Sequence, residues 1–356
     1  ARETNALLKI IDRLDGTELN RVQLNAAQIL VTIVRSQPSP LAREMAQSSN
    51  LDHLLEFVIN SEGRISVPVL TVIIAALDPR KRLFAGLRLI QGGPAFDGTE
   101  SNLFQPLFQK LTLLLPTLTE KLKEYEISDA QDTPYGILLP PMGPARSKII
   151  EVIAVLMSVE SEALMKALLS AKTLETCMQL FVSYPFNNIL HKNVVSIFAS
   201  VLKSRCQPLL ENLFVDLNLC KWLVEMPQCV SSKTTKYVPH ETPVHENGCS
   251  SEQPEAARKE LRAGYLGYAI LLSNQILQAA EFNEFIAEHI SNNNDWQKYI
   301  TSTLIPTNKK EDLKSWLCGR PPDGLMRDGD AEEQSSSDLP LSTNGALYSK
   351  IYGFCV

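Results

Sequence analysis

The fold is decided by Lys148-Ile149-Ile150-Glu151-Val152-Ile153-Ala154-Val155-Leu156-Met157. The apolar side chains of this stretch recur at i, i+3, i+4 and i+7, the spacing of one face of an α-helix. Two further stretches, which begin at Leu190 and at Leu266, have the same period. Alternation with a period of two is nearly absent, so the sequence predicts an all-α protein.

The sequence also matches itself. A gap-free shift that carries Leu51 onto Leu174 places Ala26–Val58 on Ile149–Phe181. Each block is predicted to be a long helix, a short helix and another long helix, and Asn50 and Thr173 are expected to cap the last helix of each. Armadillo and HEAT units are about 40–47 residues long. Because the shift is close to three such units, we predict an armadillo/HEAT-like helical-repeat solenoid.

Changes in composition divide the chain into four predicted segments. They are a helical-repeat part (1–227), a polar loop insertion (228–257), C-terminal helices (258–322) and an acidic, Ser-rich tail that is expected to be disordered (323–356). A break at 91–98 precedes a long predicted helix around 103–125. Pro106 and Pro116 are expected to kink or divide that helix.

Composition excludes several classes of protein. The 356 residues are 44% hydrophobic and 21% charged, which excludes global disorder. A net charge of −6 disfavours nucleic-acid binding, and no apolar run approaches the roughly 18 residues of a membrane span. The start, Ala1–Ile11, has no signal-peptide pattern and no Met, as expected of a chain that begins inside a longer protein. None of the seven cysteines forms a Cys-x-x-Cys pair. We therefore predict a cytoplasmic location, with the nucleus as a second one.

No group of residues predicts an active site. Cys177 lies on an apolar helix face, where a thiol is expected to be a core side chain. His240 and His245 lie in the polar loop beside glutamates, and such loops usually hold no metal. The sequence has no Gly-x-Ser-x-Gly, Walker-type or His-Glu-x-x-His motif. We predict a protein that is not an enzyme and needs neither cofactor nor metal.

Five polar residues at helix starts are candidates for partner binding. Arg146 opens one helix, and Asn187, Asn188, His191 and Lys192 open another about one repeat later. One asparagine is expected to cap the second helix. The others would contact a partner from the edge of the array, where repeat proteins present binding surfaces. The alternative is that they are internal struts that hold consecutive repeats together.

Four stretches of the chain carry a resemblance to a known family. They are Val22–Leu30, Pro141–Ala154, Tyr184–Ile197 and Arg262–Gly267, the last followed by Trp296, Tyr299, Leu304, Asn308 and Leu317–Pro321. Together they resemble the SAPS domain of Sit4-associated proteins, and Tyr184-Pro185-Phe186-Asn187-Asn188-x-Leu190-His191 is the most specific piece. The resemblance covers about residues 5–322.

The resemblance implies a non-catalytic regulatory or scaffold subunit. Such a subunit would bind the catalytic subunit of a type 6 (Sit4-like) serine/threonine phosphatase, direct it to substrates and join a further scaffold subunit. The residues alone leave two alternatives open: a helical-repeat adaptor for transport or coat assembly, and a hydrolase on a helical fold. No nucleophile–base pair is visible for the hydrolase.

Overall fold

The computed structural model describes residues 6–15, 20–36, 39–60, 66–78, 103–124, 131–133, 136–138, 141–230 and 261–311. By its contacts the chain divides into two compact units, Ala1–Leu304 and Ile305–Val356. Within the second unit the described element is helix Ile305–Glu311. The other described elements belong to the first unit.

Six helices precede residue 124 in the described part of the chain. They are α1 (Ala6–Ile11, continued by a 3-10 turn at Asp12–Leu14), α2 (Arg21–Arg35), α3 (Pro40–Met45), α4 (Ser48–Asn60), α5 (Val67–Leu77) and α6 (Gln105–Lys123). A capping box starts α2: Asn20 accepts from the backbone N–H of Gln23, whose side chain accepts from the N–H of Asn20 at 2.9 Å. Such a cap stabilises a helix by about 1 kcal/mol.

The predicted long helix is α6, and it is continuous. Pro106 lies in the first turn, where the missing N–H would have had no partner. Pro116 lies inside the helix without ending it, so the expectation of a divided helix is wrong. The reason is packing: Leu111, Leu115 and Leu118 form one buried stripe across the proline. Burial of such side chains, about 1.5–3 kcal/mol each, offsets the one hydrogen bond that proline removes.

Nine helices follow in residues 141–230 and 261–304. They are α7 (Pro144–Leu156), α8 (Glu162–Ser170), α9 (Thr173–Ser183), α10 (Asn188–Lys203), α11 (Gln207–Glu211, continued by a π-helical turn at Asn212–Asp216), α12 (Leu219–Val224), α13 (Leu266–Ala280), α14 (Glu284–Ser291) and α15 (Asn294–Tyr299, continued by a π-helical turn at Ile300–Leu304). Helix Ile305–Glu311 is α16.

Two short antiparallel ladders accompany the helices. Strand β1 (Gln131–Thr133) pairs with β2 (Gly136–Leu138), and β3 (Cys229–Val230) pairs with β4 (Leu261–Arg262). The second ladder brings together the two ends of segment 231–260, which lies outside the described residues. The polar-loop prediction falls largely on that segment. The predicted break at 91–98 and the acidic tail also lie outside the described residues, and the four segment boundaries stay predictions.

The helices stack in two rows. In the first row α2 packs on α5, α5 on α7, α7 on α10, and α10 on α13. In the second row α1 packs on α4, α4 on α6, and α6 on α9, while α12 packs on α15. Phe181 of α9 meets Trp222 of α12 at 5.4 Å between ring centroids, which continues the second row. The all-α helical-repeat class is confirmed.

The predicted self-match is present in the helix bounds. Helices α2–α4 form unit one, and helices α7–α9 form unit two in the same long, short, long order. Leu30 and Ile153, which the shift superimposes, are both fully buried. The prediction that Asn50 and Thr173 cap a helix is wrong. Asn50 lies within the first turn of α4 and donates to the carbonyl of Glu44 at 2.7 Å, and the buried Thr173 hydroxyl bonds that of Thr119 at 2.9 Å.

A third unit, which the sequence did not predict, consists of α13–α15. Ile276 of α13 falls at the position of Leu30 and Ile153 and is likewise fully buried. Trp296 of α15 falls at the position of Asn50 and Thr173, and Trp296 and Thr173 are both fully buried. Three matching units in the described residues make this a repeat fold.

Candidate partner-binding site

Three of the stretches that carry the family resemblance meet in space. We name residues 141–146, 184–191 and 262–267 the three-motif junction. The Asn187 Nδ2 donates to the Met142 sulfur at 3.4 Å, and the Arg146 guanidinium lies 5.4 Å from the centroid of the Tyr184 ring. Gly264 lies against the backbone of Pro185 and Phe186. The loop 184–187 is therefore held between the other two stretches.

Arg146 is buried at the start of α7. Its Nε donates to the carbonyl of Met142 at 2.7 Å, and its Nη2 donates to the carbonyl of Pro141 at 3.2 Å. Gly143 precedes the helix with φ = 79°, a conformation that strongly favours glycine. The guanidinium therefore ties down the turn that leads into α7, as the internal-strut alternative expects.

His191 is also inside the protein, on α10. Its Nε2 lies 3.1 Å from the carbonyl oxygen of Phe181, and its ring packs against the rings of Phe181, Tyr265 and Tyr268. Burial lowers the pKa of His191 to about 4, although the backbone carbonyls of Phe181 and Tyr184 oppose the shift. The imidazole is therefore neutral near pH 7 and offers a partner no charge.

The two asparagines have different surroundings. Asn187 is half-buried, and its side chain accepts from the backbone N–H of Leu190 at 3.1 Å. It is the N-cap of α10, which confirms that one of the pair caps the helix. Asn188 and Lys192 are exposed one helical turn apart on α10. Of the five candidates, these two present their side chains to solvent.

Glycine is required where the third stretch crosses the loop. A Cβ on residue 264 would lie 2.9 Å from the Pro185 carbonyl oxygen and 3.3 Å from the Phe186 ring. Next to it, the Tyr265 hydroxyl donates to the carbonyl of Pro227 at 2.8 Å. The contact of Gly264 with the loop and the hydrogen bond of Tyr265 together hold the chain just before α13 in place.

Comparison with known proteins identifies the family. The sequence profile of SAPS, SIT4 phosphatase-associated protein, matches residues 2–168 and 164–313. The chain belongs to the SAPS family. Serine/threonine-protein phosphatase 6 regulatory subunit 3 of Gallus gallus is 21% identical over 315 residues, which are 81% of this chain and 33% of that protein. Regulatory subunit 1 of Homo sapiens is 22% identical over 346 residues, 86% of this chain and 37% of that protein. The SAPS chain thus spans about a third of these relatives.

Solved structures give a weaker likeness. A designed armadillo repeat protein is 14% identical at a TM-score of 0.42, with coverage of 84% of this chain and 98% of its own. A computationally designed armadillo repeat protein is 12% identical at a TM-score of 0.43, with coverage of 84% and 98%. Likeness at these scores carries no argument about the fold. The fold of the SAPS chain is defined by the packing of its own helices.

The remaining sequence predictions have mixed outcomes. Cys177 is fully buried, and burial raises its pKa to about 12, so its predicted core role is confirmed. His240 and His245 lie outside the described residues. In the part of the chain that the structure describes, no helix combines the length and the hydrophobicity needed to cross a bilayer.

Sequence reasoning missed two apolar members of the junction region. Phe186 is 37% exposed and Ile189 is 64% exposed, although the stretch to which both belong also contains the buried Leu190, Val194 and Ile197. The sequence does contain a signal that Ile189 is exposed. Ile189 lies between the N-cap Asn187 and the buried Leu190, and it is not on the helix face that carries Leu190, Val194 and Ile197. Only the packing of Gly264 beneath Phe186 shows that the loop is held at the surface.

Proposed function

We propose that this SAPS chain is a non-catalytic regulatory or scaffold subunit that binds the catalytic subunit of a type 6 (Sit4-like) serine/threonine phosphatase and directs it to substrates. The observation that carries the proposal is the SAPS profile match over residues 2–168 and 164–313. The regulatory-subunit names of the relatives support it. The stacked helices are consistent with this role, since a repeat array gives a globular partner a long, fixed surface.

The buried reactive groups support a non-catalytic role. Cys177 and Cys220 are buried thiols whose pKa values desolvation raises to about 12, which leaves them protonated. His191 is enclosed by aromatic rings inside the protein, and its imidazole is neutral near pH 7. A nucleophile and a base must reach a substrate, and these groups do not.

Asn188 and Lys192 are the partner contacts that we propose from the original five candidates. Both side chains are exposed on the first turns of α10. The other three candidates would contribute to binding indirectly, because they hold α10 and the neighbouring turns in place; they are Arg146, Asn187 and His191. A further scaffold subunit would then bind elsewhere on the array.

Purification of the tagged protein from cells, followed by mass spectrometry, tests the proposal. We expect the type 6 phosphatase catalytic subunit to co-purify, and the purified catalytic subunit to bind the purified protein directly. The type 1 catalytic subunit serves as the matched control. Recovery of transport or coat components without any phosphatase would favour the adaptor alternative.

We propose a cytoplasmic location, with the nucleus as a second site. Among the described residues, Cys177, Cys206 and Cys220 are free thiols, which suits a reducing compartment. Imaging of the tagged protein tests this proposal. Exclusive recovery from the secretory pathway would contradict it.

A further inference from the structure

The surface of the three-motif junction has an apolar tip, which we define as Phe186 and Ile189. Ile189 is 64% exposed, and Phe186 is 37% exposed. Aromatic and aliphatic side chains that stand out at a surface are the groups that anchor protein interfaces when a partner pocket buries them.

The backbone that carries the apolar tip is held by its neighbours. Asn187, between its two members, is fixed as the cap of α10 and donates to Met142. Phe186 and the Pro185 carbonyl rest on Gly264, with no room for a Cβ. A side chain that is already ordered loses little conformational entropy when a partner covers it. The tip therefore has the preorganisation of an interface anchor.

The segments that form the junction carry basic residues and no acidic ones. No Asp or Glu occurs in segments 141–150, 184–203 and 261–280, although the whole chain has 40 acidic residues. Lys192 and Arg262 are exposed in these segments, and Lys192 lies one turn after Ile189 on α10. Lys148 is paired with Glu151 at 2.7 Å. Within the described residues neither Lys192 nor Arg262 is in an ion pair, and the two cations make the surroundings of the tip complementary to carboxylates.

We propose that the apolar tip is the anchor for the phosphatase catalytic subunit, which would receive Phe186 and Ile189 in an apolar hollow bordered by carboxylates. Lys192 and Arg262 face those carboxylates. This inference rests on the proposed function and deepens it: it names the binding surface and the chemistry that the partner must present. Gly264 is a positioning residue that holds the tip.

A second exposed apolar pair provides a matched control. Phe282 is 89% exposed and Val215 is 58% exposed. They lie beside acidic residues, Glu281 and Glu284 for Phe282 and Asp216 for Val215. Like the tip, this pair consists of one phenylalanine and one β-branched aliphatic residue, but its sequence neighbours are acidic.

The test measures the affinity of the purified type 6 catalytic subunit for the protein and its variants. We expect Phe186→Ser with Ile189→Ser to weaken binding at least tenfold, and Phe282→Ser with Val215→Ser to change it less than twofold. Lys192→Glu with Arg262→Glu should weaken binding at least tenfold at low salt and reverse the salt dependence of this contact, because glutamates would then face the partner's carboxylates. Lys9→Glu with Arg13→Glu, on the exposed surface near α1, should do neither.

A third arm tests the positioning of the tip. Gly264→Ala should weaken binding because the Pro185 carbonyl must move, whereas Gly267→Ala, with nothing within 4 Å of its new Cβ, should not. Equal binding by wild type and the Phe186→Ser, Ile189→Ser variant would overturn the inference and leave the proposed function standing. If wild type fails to bind the catalytic subunit, the proposed function falls and the inference falls with it.

Discussion

Units one and two have the same helix order but differ in what their first helices touch. Ile29 of α2 and Val152 of α7 occupy equivalent positions, yet Ile29 is 47% exposed and Val152 is 0% exposed. Among the described helices of the first row, α2 packs on α5, whereas α7 lies between α5 and α10. The difference shows that a residue's place in the stack, rather than its type, determines whether it is in the core.

A second difference concerns the buried polar residue at the third position of each first helix. In unit one it is Gln23, which donates from Nε2 to the carbonyl of Leu14 at 3.2 Å. In unit two it is Arg146, which donates to the carbonyls of Met142 and Pro141. Both side chains tie the preceding segment to the helix. Their equivalence supports a structural role for Arg146.

The largest expected effect tests the difference in burial. Val152→Asp places a carboxylate in the core without a partner and should lower the free energy of unfolding by more than about 4 kcal/mol. Ile29→Asp, at the equivalent exposed position, should change it by less than about 0.5 kcal/mol. Urea denaturation of both variants gives the comparison. A large loss for Ile29→Asp would mean that α2 is covered in the folded protein.

The second prediction concerns the two buried polar residues. Arg146→Ala leaves two carbonyls without their charged donor and should cost about 3 kcal/mol. Gln23→Ala removes neutral hydrogen bonds and part of a capping box and should cost about 1.5 kcal/mol. Gln28→Ala, on the exposed face of α2, is the control with almost no effect. If Arg146→Ala keeps full stability, the strut assignment is wrong.

The sequence was sufficient to predict units one and two of the repeat but not unit three. Units one and two match without a gap because Leu30 and Ile153, like Leu51 and Leu174, are equivalent core positions. Unit three was missed because the buried Ser273 stands where unit two has Ile150, and because a π-helical turn follows α15. In such a unit the apolar period is interrupted although the packing is retained.

The junction shows a different limit. The sequence placed Arg146 and His191 correctly at helix starts, but a helix start can face solvent or a neighbouring repeat. Burial is decided by contacts between residues far apart in the chain, such as those of His191 with Tyr265 and Tyr268. Local periodicity holds no information on such contacts.

The third prediction concerns pH. The position equivalent to His191 is Pro68 of α5, the helix that follows unit one. Proline has no titratable side chain, so this pH effect is specific to α10, the helix that follows unit two. The folded-state pKa of His191, about 4, lies below its ordinary 6.5. The unfolded chain therefore binds more protons between these values, and stability is lost as the pH falls through them.

Between about pH 7.5 and about pH 5 this linkage should lower the free energy of unfolding by about 2 kcal/mol. His191→Gln should reduce the pH dependence by that amount. Denaturation at a series of pH values provides the measurement. The same slope in wild type and His191→Gln would show that the ring is accessible to protons in the folded protein.

The smallest expected effects concern two helix caps, one at the start of unit one and one on the helix that follows unit two. Asn20 caps α2 and Asn187 caps α10, so Asn20→Ala and Asn187→Ala should each cost about 1 kcal/mol. Asn188→Ala lies one residue inside α10 and should change stability by less than about 0.3 kcal/mol, because alanine has the higher helix propensity and no cap bond is lost. Thermal denaturation resolves these differences. If Asn188→Ala costs as much as Asn187→Ala, then Asn188 shares the capping role, and its exposed amide is no longer free for the partner contact that we propose.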